Sequence, residues 1–323
     1  MSSQIPRREF LAGMGRLAAA AASSIPCHAM LCPGPIYPPI DLSYFDTPIS
    51  PAPADIRIGY AAITWDGNDR QAIEDISRLG YRGIQLRSNC IAEFGSPAEL
   101  RKLLDERGLQ MVALSSGAVS IDPEKETEEI ARHMANAKFV RDVRGLYLQV
   151  TDQRPKNRAV SPADYIHLGR LLTEIGKRTA DLGIRLGYHN HMGTLGESPE
   201  QVDRILQAAD PRYAKLELDI AHYFQGGGDP AKAIEKYKDR LLFLHIKDVE
   251  RFETQGRASE SYRFVELGRG LVDLPSVFSA LYSANFRGWA IIELDSEPDK
   301  TRTPAQSAEI SKKFLEERLG LKI

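Results

Sequence analysis

Hydrophobic and polar positions follow two alternating patterns along the chain from residue 55 onward. Short runs rich in β-branched and aliphatic residues, typical of buried strands, alternate with longer stretches that carry the amphipathic period of a helix. The predicted strands cover residues 56–63, 83–87, 110–115, 145–151, 184–189, 214–219, 241–246 and 289–294. This alternation predicts a parallel sheet that is covered by helices.

Several predicted helices begin with a polar capping residue followed by proline. The clearest helical stretches are 97–107, 161–182, 199–208, 230–238 and 303–319. Proline suits the first helical turn because the N–H that it lacks would have no partner there. Eight strand–helix units predict a single (β/α)₈ or TIM barrel of the α/β class, with an open doubly wound sheet as the alternative. No glycine-rich nucleotide-binding motif follows the first predicted strand.

The first 54 residues differ from this region in composition. Arg7 and Arg8 precede an apolar, alanine-rich run that is too short to span a bilayer stably, as in a twin-arginine export signal. Prolines recur from residue 31 to 54 and predict an extended linker. We therefore expect a signal peptide over 1–30, a linker over 31–54 and the barrel over 55–323. The protein would be periplasmic, or cytoplasmic if the signal does not function.

The charge balance limits the classes of partner. The chain has 42 basic and 44 acidic residues and a net charge of −2, so it lacks the basic surface that nucleic acid requires. Its 42% hydrophobic content is that of a globular protein with a large core. We expect a small, mostly uncharged molecule as partner, no nucleic acid and no membrane, and leave a homo-oligomer open.

Side chains with metal-binding chemistry stand at the ends of the last four predicted strands: His189, Asp219, His245 and Glu293. In (β/α)₈ barrels these strand ends meet at the face that carries the active site. Four such residues at consecutive strand ends favour a metal centre over isolated structural histidines. The mixture of imidazole and carboxylate suits Mn²⁺, Fe²⁺, Co²⁺ or Zn²⁺, with manganese as the first choice, whereas Mg²⁺ and Ca²⁺ prefer oxygen alone.

Strand alternation adds further candidates, because residues two positions apart point to the same side. The same-face pairs are His189 with His191, Glu217 with Asp219, His245 with Lys247, and Glu293 with Asp295. In each pair one residue can reach a central ion while the other reaches substrate or orients the ligand. His222, three residues after Asp219, is a predicted substrate contact.

Five short motifs carry a family resemblance. They are Ile-Thr-Trp at 63–65, Tyr-His-Asn-His-Met-Gly-Thr at 188–194, Gly-Gly-Asp-Pro at 227–230, His-Ile-Lys-Asp-Val at 245–249 and Gly-Trp at 288–289. From about residue 56 to 320 the chain resembles the xylose isomerase-like sugar phosphate isomerase/epimerase superfamily, and most of all its inosose dehydratase branch. The resemblance implies a divalent ion on His189, Asp219, His245 and Glu293 that grips a ketone and a neighbouring hydroxyl and stabilises an enediolate.

Two positions depart from the family pattern. His189 stands where the epimerases of the superfamily have a glutamate, which favours Glu293 as a single base with Lys247, His191 or His222 as the acid. Gln85 and Arg87 stand where the inosose branch tends to have glutamate, so inosose itself is not the assumed substrate.

The expected function is therefore a metal-dependent, isomerase- or epimerase-like enzyme that acts on a keto-sugar or polyol through an enediolate. Its predicted catalytic residues are Glu293, Lys247 and His191, and its predicted substrate contacts are His222, Trp65 and Gln149. One alternative is a lyase or dehydratase that acts by β-elimination on a 3-keto-sugar or inosose-like substrate. Another is a periplasmic sugar-binding barrel without catalytic activity.

Overall fold

The computed structural model describes residues 54–252 and 262–323. The predicted signal peptide and nearly all of the predicted linker lie outside these residues. Within the described ranges, no helix combines the length and the apolar character that crossing a membrane would need.

Eight parallel strands close into a barrel, and a separate pair forms an antiparallel hairpin. The strands are β1 (Asp55–Ala61), β2 (Gly83–Arg87), β3 (Gln110–Val119), β4 (Tyr147–Asp152), β5 (Arg185–His189), β6 (Ala214–Asp219), β7 (Leu241–Ile246), β8 (Asp248–Arg251), β9 (Tyr262–Val265) and β10 (Arg287–Ile292). Strands β1 to β7 pair in chain order, and β10 closes the barrel between β7 and β1. The prediction of a single (β/α)₈ barrel is confirmed.

Helices follow the barrel strands and cover the outside of the sheet. They are α1 (Asp69–Arg78), α2 (Cys90–Phe94), α3 (Pro97–Arg107), α4 (Glu126–Val143), α5 (Pro162–Ala180), α6 (Pro199–Ala208), α7 (Ile220–Gln225), α8 (Pro230–Tyr237), α9 (Leu274–Ser283) and α10 (Pro304–Leu319). Capping boxes start α5, α6 and α10 at Ser161, Ser198 and Thr303, each with proline in the first turn. The predicted helix starts are confirmed at these positions.

Several strand boundaries differ from the predicted ones, most of all that of β3, which continues to Val119 instead of ending at residue 115. β1 ends at Ala61, where a short 3₁₀ turn (Ala62–Trp65) replaces the predicted last two strand residues. β10 ends at Ile292, so Glu293 lies just beyond the strand. The hairpin of β8 and β9 was not predicted, because strands of four residues are too short to show a period.

The inside of the barrel contains an aromatic layer, which consists of Tyr147, Phe243 and Trp289. Each lies in the first half of its strand and is buried, and the rings of Tyr147 and Phe243 stack 5.2 Å apart. Gly83 makes room for this layer, since a Cβ there would come within 2.4 Å of the Trp289 ring. The aromatic layer fills the barrel from the amino ends of the strands and leaves the carboxyl ends for polar side chains.

Candidate metal centre

The four predicted ligands meet at the carboxyl ends of the last barrel strands. His189 and Asp219 are the final residues of β5 and β6, His245 is the penultimate residue of β7, and Glu293 directly follows β10. All four side chains are buried. Together they form an ionisable layer that lies above the aromatic layer.

His245 is the centre of this layer. Its Nε2 lies 2.9 Å from Oε1 of Gln85, which accepts its hydrogen bond, and 2.6 Å from Oε1 of Glu217. The contact with Glu217 is an ion pair. On the other side of the ring, Nδ1 lies 3.6 Å from Asp219 Oδ2 and 3.4 Å from Glu293 Oε2. Burial acts to lower the pKa of His245, but the carboxylates of Glu217 and Glu293 raise it well above its usual value, so the ring is a cation whose Nδ1–H faces two carboxylates.

Lys247 supplies the buried positive charge of the site. Its ammonium donates to Oε1 of Glu293 at 2.9 Å and to Oδ1 of Asp295 at 2.7 Å, and lies 3.9 Å from the centre of the Phe264 ring. Burial disfavours the ammonium, but the carboxylates of Asp295 and Glu293 raise the pKa of Lys247 above its usual value. Lys247 is therefore held as a cation.

The carboxylates of the layer are ionised. Burial acts to raise the pKa of Glu293, but the positive charges of His245 and Lys247 outweigh it and lower this pKa to about 2. Burial likewise acts to raise the pKa of Asp219, but its charged neighbours, Lys247 among them, leave this pKa well below its usual value. A site with ionised buried carboxylates attracts cations.

Several polar atoms here are buried and have no hydrogen-bond partner among the described residues: Nδ1 of His189 and His245, Oδ2 of Asp219, and both carboxylate oxygens of Glu217. Buried polar atoms of this kind are costly unless a ligand satisfies them, and a metal ion would do so. One ligand atom each from Asp219, His245 and Glu293 lie within 4.8 Å of one another. The residues therefore fit a divalent metal ion.

Three histidines form a second group beside the first. His189, His191 and His222 can also place one ligand atom each within 4.8 Å of one another, and the rings of His191 and His222 are 3.8 Å apart. Burial lowers the pKa of both His191 and His222, so both rings are neutral. Asp219 links the two groups, because its Oδ1 accepts a hydrogen bond from the backbone N–H of His222 at 2.8 Å.

A cavity of about 160 Å³ opens onto these residues. Among the predicted residues, His189, His191, His245, Glu293 and Gln149 line it. Sequence reasoning did not assign Gln85, Arg87, Ser115 and Thr151, which also line it. The signal was available for Arg87 and Thr151, which stand at or next to the carboxyl ends of β2 and β4.

Two predicted substrate contacts lie elsewhere. Trp65 is not among the residues that line the cavity: its ring is buried edge-on against Tyr60, and its indole N–H donates to Asp75 at 3.0 Å. The 3₁₀ turn after β1 directs this ring into the core, so the structure does not bring it to the other predicted residues. His222 is buried and does not line the cavity, but its ring lies against that of His191, which does.

The comparisons with known proteins agree with this geometry. A family model for xylose isomerase-like TIM barrels matches residues 73–318. An inosose dehydratase of Lacticaseibacillus casei is 26% identical over an alignment of 303 residues, and the alignment covers 82% of this chain and 98% of that protein. The rhizopine catabolism protein MocC of Rhizobium meliloti is 26% identical over an alignment of 280 residues, with 76% of this chain and 83% of that protein covered.

Solved structures share the fold. The IOLI protein, which was solved with a bound zinc atom, superposes with a TM-score of 0.70 at 18% identity, over 81% of this chain and 97% of that one. The probable 3-DHS dehydratase AsbF of Bacillus anthracis gives a TM-score of 0.66 at 14% identity, over 80% and 98%.

Proposed function

Because this chain belongs to the family of xylose isomerase-like TIM barrels, we propose that it is a metal-dependent lyase that removes water from a keto-sugar or inosose-like polyol. The observation that carries this proposal is the convergence of Nδ1 of His245 with the carboxylates of Asp219 and Glu293, at 3.6 and 3.4 Å, beside a small polar cavity. Relatives named inosose dehydratase favour this reaction over the isomerisation that the sequence first suggested.

Asp219, His245 and Glu293 would hold the ion, with His189 as the fourth ligand. Three buried carboxylates, those of Glu217, Asp219 and Glu293, face one buried ammonium, that of Lys247, and this leaves a charge of −2 once His245 gives up its proton to bind the ion. One divalent cation balances that charge. Manganese remains our first choice, while Fe²⁺, Co²⁺ and Zn²⁺ suit the same donors, and the zinc of the IOLI protein supports a metal on this fold. When bound, the ion would polarise the substrate carbonyl and stabilise the enediolate.

Glu293 and Lys247 would move the protons. A carboxylate oxygen of Glu293 takes the proton from the carbon next to the carbonyl, and Lys247 donates one to the hydroxyl that leaves as water. The two groups are 2.9 Å apart, so the proton taken by Glu293 can return to Lys247 and the pair is restored. Asp295, whose side chain is 41% exposed, holds the ammonium in place and connects it to solvent.

The same enediolate supports a second reaction. If Glu293 returns the proton to the neighbouring carbon and no hydroxyl leaves, the product is an isomer of the substrate. The single carboxylate base of this site favours such a one-base transfer over the two-base epimerisation that needs a glutamate at position 189. Isomerase activity is therefore the second candidate.

A product analysis separates these reactions. The protein is stripped of metal with a chelator, reloaded with Mn²⁺, Co²⁺ or Zn²⁺, and incubated with inosose-type keto-polyols and 3-keto-glycosides. We expect products that are lighter by one water, and only with metal. Products of unchanged mass would select the isomerase, and metal-loaded protein that binds these compounds without converting them would select the sugar-binding barrel.

The hypothesis of a twin-arginine signal in residues 1–30 places this reaction in the periplasm. The test is fractionation of cells that express the full chain, compared with a variant in which both Arg7 and Arg8 are changed to Lys. We expect the activity in the periplasmic fraction and its loss from that fraction in the variant.

A further inference from the structure

Three imidazole rings from two neighbouring strand–helix units meet beside the carboxylates of the proposed metal centre. His189 ends β5, His191 follows in the loop, and His222 lies in α7 after β6. The ring centre of His189 lies 5.6 Å from that of His191 and 5.9 Å from that of His222. Of these three residues, the proposed function uses only His189, as a metal ligand, and gives no role to His191 or His222.

The hydrogen bonds of two of these rings fall on Nδ1, which leaves Nε2 as the atom that can face a ligand. Nδ1 of His191 lies 2.7 Å from the carbonyl oxygen of Met192, so Nδ1 is the donor and Nε2 is free. Nδ1 of His222 accepts a hydrogen bond from the backbone N–H of Met192 at 3.5 Å and lies 3.2 Å from Oε1 of Gln225, so its contacts also fall on Nδ1. Histidines that bind metals usually donate their other N–H to a carbonyl or carboxylate, as His191 does.

The free nitrogen of His222 is buried. Its Nε2 has no hydrogen-bond partner within residues 54–252 and 262–323, and the Phe264 ring lies edge-on 5.2 Å from the imidazole. A buried nitrogen without a partner is unfavourable unless something not made of protein satisfies it. Both the geometry and the burial point to a ligand in this position.

We propose that His189, His191 and His222 form a second cation site, which takes a transition metal ion such as Zn²⁺ or Co²⁺. Three imidazole nitrogen donors favour these ions over Mg²⁺ and Ca²⁺, and three protein ligands leave one position open. Nitrogen atoms on one tetrahedral zinc ion are about 3.4 Å apart, so small rotations of rings whose ligand atoms lie within 4.8 Å close the site.

This second site goes beyond the proposed function and shares one residue with it. When both ions are bound, His189 serves the imidazole site, and the first ion keeps Asp219, His245 and Glu293 and gains a position for a substrate oxygen. The centre is then dinuclear, with an oxygen-rich and a nitrogen-rich half. The opposing interpretation is that His191 and His222 bind sugar hydroxyls directly.

The number of bound ions tests the proposal without any assay of activity. Metal-free protein is titrated with Co²⁺, the ions per chain are counted by elemental analysis after gel filtration, and the visible spectrum is recorded. We expect two ions per chain in the wild type, the second with the intense absorption of tetrahedral Co²⁺. His191→Ala and His222→Gln should each retain one ion and lose that absorption.

Two controls make the result specific. His167→Ala removes a partly exposed histidine on the outer helix α5 and should retain two ions. Asp219→Asn should lose the oxygen-rich ion and keep the absorption of the other. Circular dichroism and thermal unfolding identify any variant that does not fold, and the wild-type count is decisive by itself.

A wild-type protein that binds one ion, retained in His191→Ala, would overturn the second site and leave the proposed function in place. A wild type that binds no ion would overturn both.

Discussion

The aromatic and ionisable layers occupy the same barrel and even the same strands, yet they have opposite chemistry. β7 contributes Phe243 to the aromatic layer and, two residues later, His245 to the ionisable layer. The aromatic side chains gain stability simply by leaving water. The ionisable ones lose solvation on burial and are tolerated only because they face opposite charges or an ion. The stability of the fold and the chemistry of the site are therefore separated along the length of the strand.

The largest expected effect is a loss of metal and of activity without a loss of stability. Asp219→Asn keeps the oxygen that caps α7 but removes the charge that faces His245 and Lys247. We expect loss of the ion at the oxygen-rich site and a fall in kcat/KM of about a thousandfold, on the order of 4 kcal/mol. The unfolding midpoint without metal should stay within a few degrees of that of the wild type. An unchanged metal content would remove Asp219 from the site, and Asp142→Asn at an exposed position is the control.

The second effect is the converse, a loss of stability with an intact site. Phe243→Ala opens a cavity in the aromatic layer and should reduce the free energy of unfolding by about 3–5 kcal/mol. The protein that remains folded should still bind metal with wild-type stoichiometry. Denaturant titration measures the first quantity and elemental analysis the second, with exposed Phe252→Ala as control at about 0.5 kcal/mol or less. Loss of metal from folded protein would mean that the layers are not independent.

A smaller effect lies at the boundary between the layers. Glu217 contacts Nε2 of His245 at 2.6 Å and orients the ring without needing to bind the ion itself. Glu217→Gln should weaken metal binding about 10- to 100-fold, since groups that orient a ligand have effects of this size. Competition with a chelator measures the affinity, and exposed Glu235→Gln should leave it unchanged. Complete loss of metal would make Glu217 a ligand, as its place beside His189 and His245 also permits.

The smallest effect lies outside both layers, where charges meet at the surface. Arg158 hydrogen-bonds Asp164 at the start of α5 and lowers the pKa of this carboxyl to about 2. A depressed folded-state pKa stabilises the protein above the unfolded-state value near 4, and this contribution is lost as the pH falls through about 2. Because Arg158 is 52% exposed, we expect only about 1 kcal/mol at pH 7. Denaturant titrations of wild type and Asp164→Asn should differ at pH 7 and converge near pH 2.

The barrel and the position of its site were largely predictable from two regularities. Strand alternation and the rule that barrel sites lie at carboxyl ends were enough to bring His189, Asp219, His245 and Glu293 together. The contacts among them were not predictable, since the hydrogen bond from His245 to Gln85 joins β7 to β2 across the barrel, and no local pattern encodes it. Trp65 was recognised as part of a motif, but no sequence period predicts the 3₁₀ turn that directs its ring into the core.

The closure of the barrel by β1 and β10 also bears on how the protein folds. These strands pair Asp55 with Arg287 and Tyr60 with Ile292, so closure joins the two ends of nearly the whole described chain. Contacts of such long sequence separation form late in folding. Glu293 arrives with this last strand, so an ion that needs it binds only the closed barrel. At a hundred times its dissociation constant, such an ion stabilises the closed state by about 2.7 kcal/mol, and the cofactor thus acts on the final step of assembly.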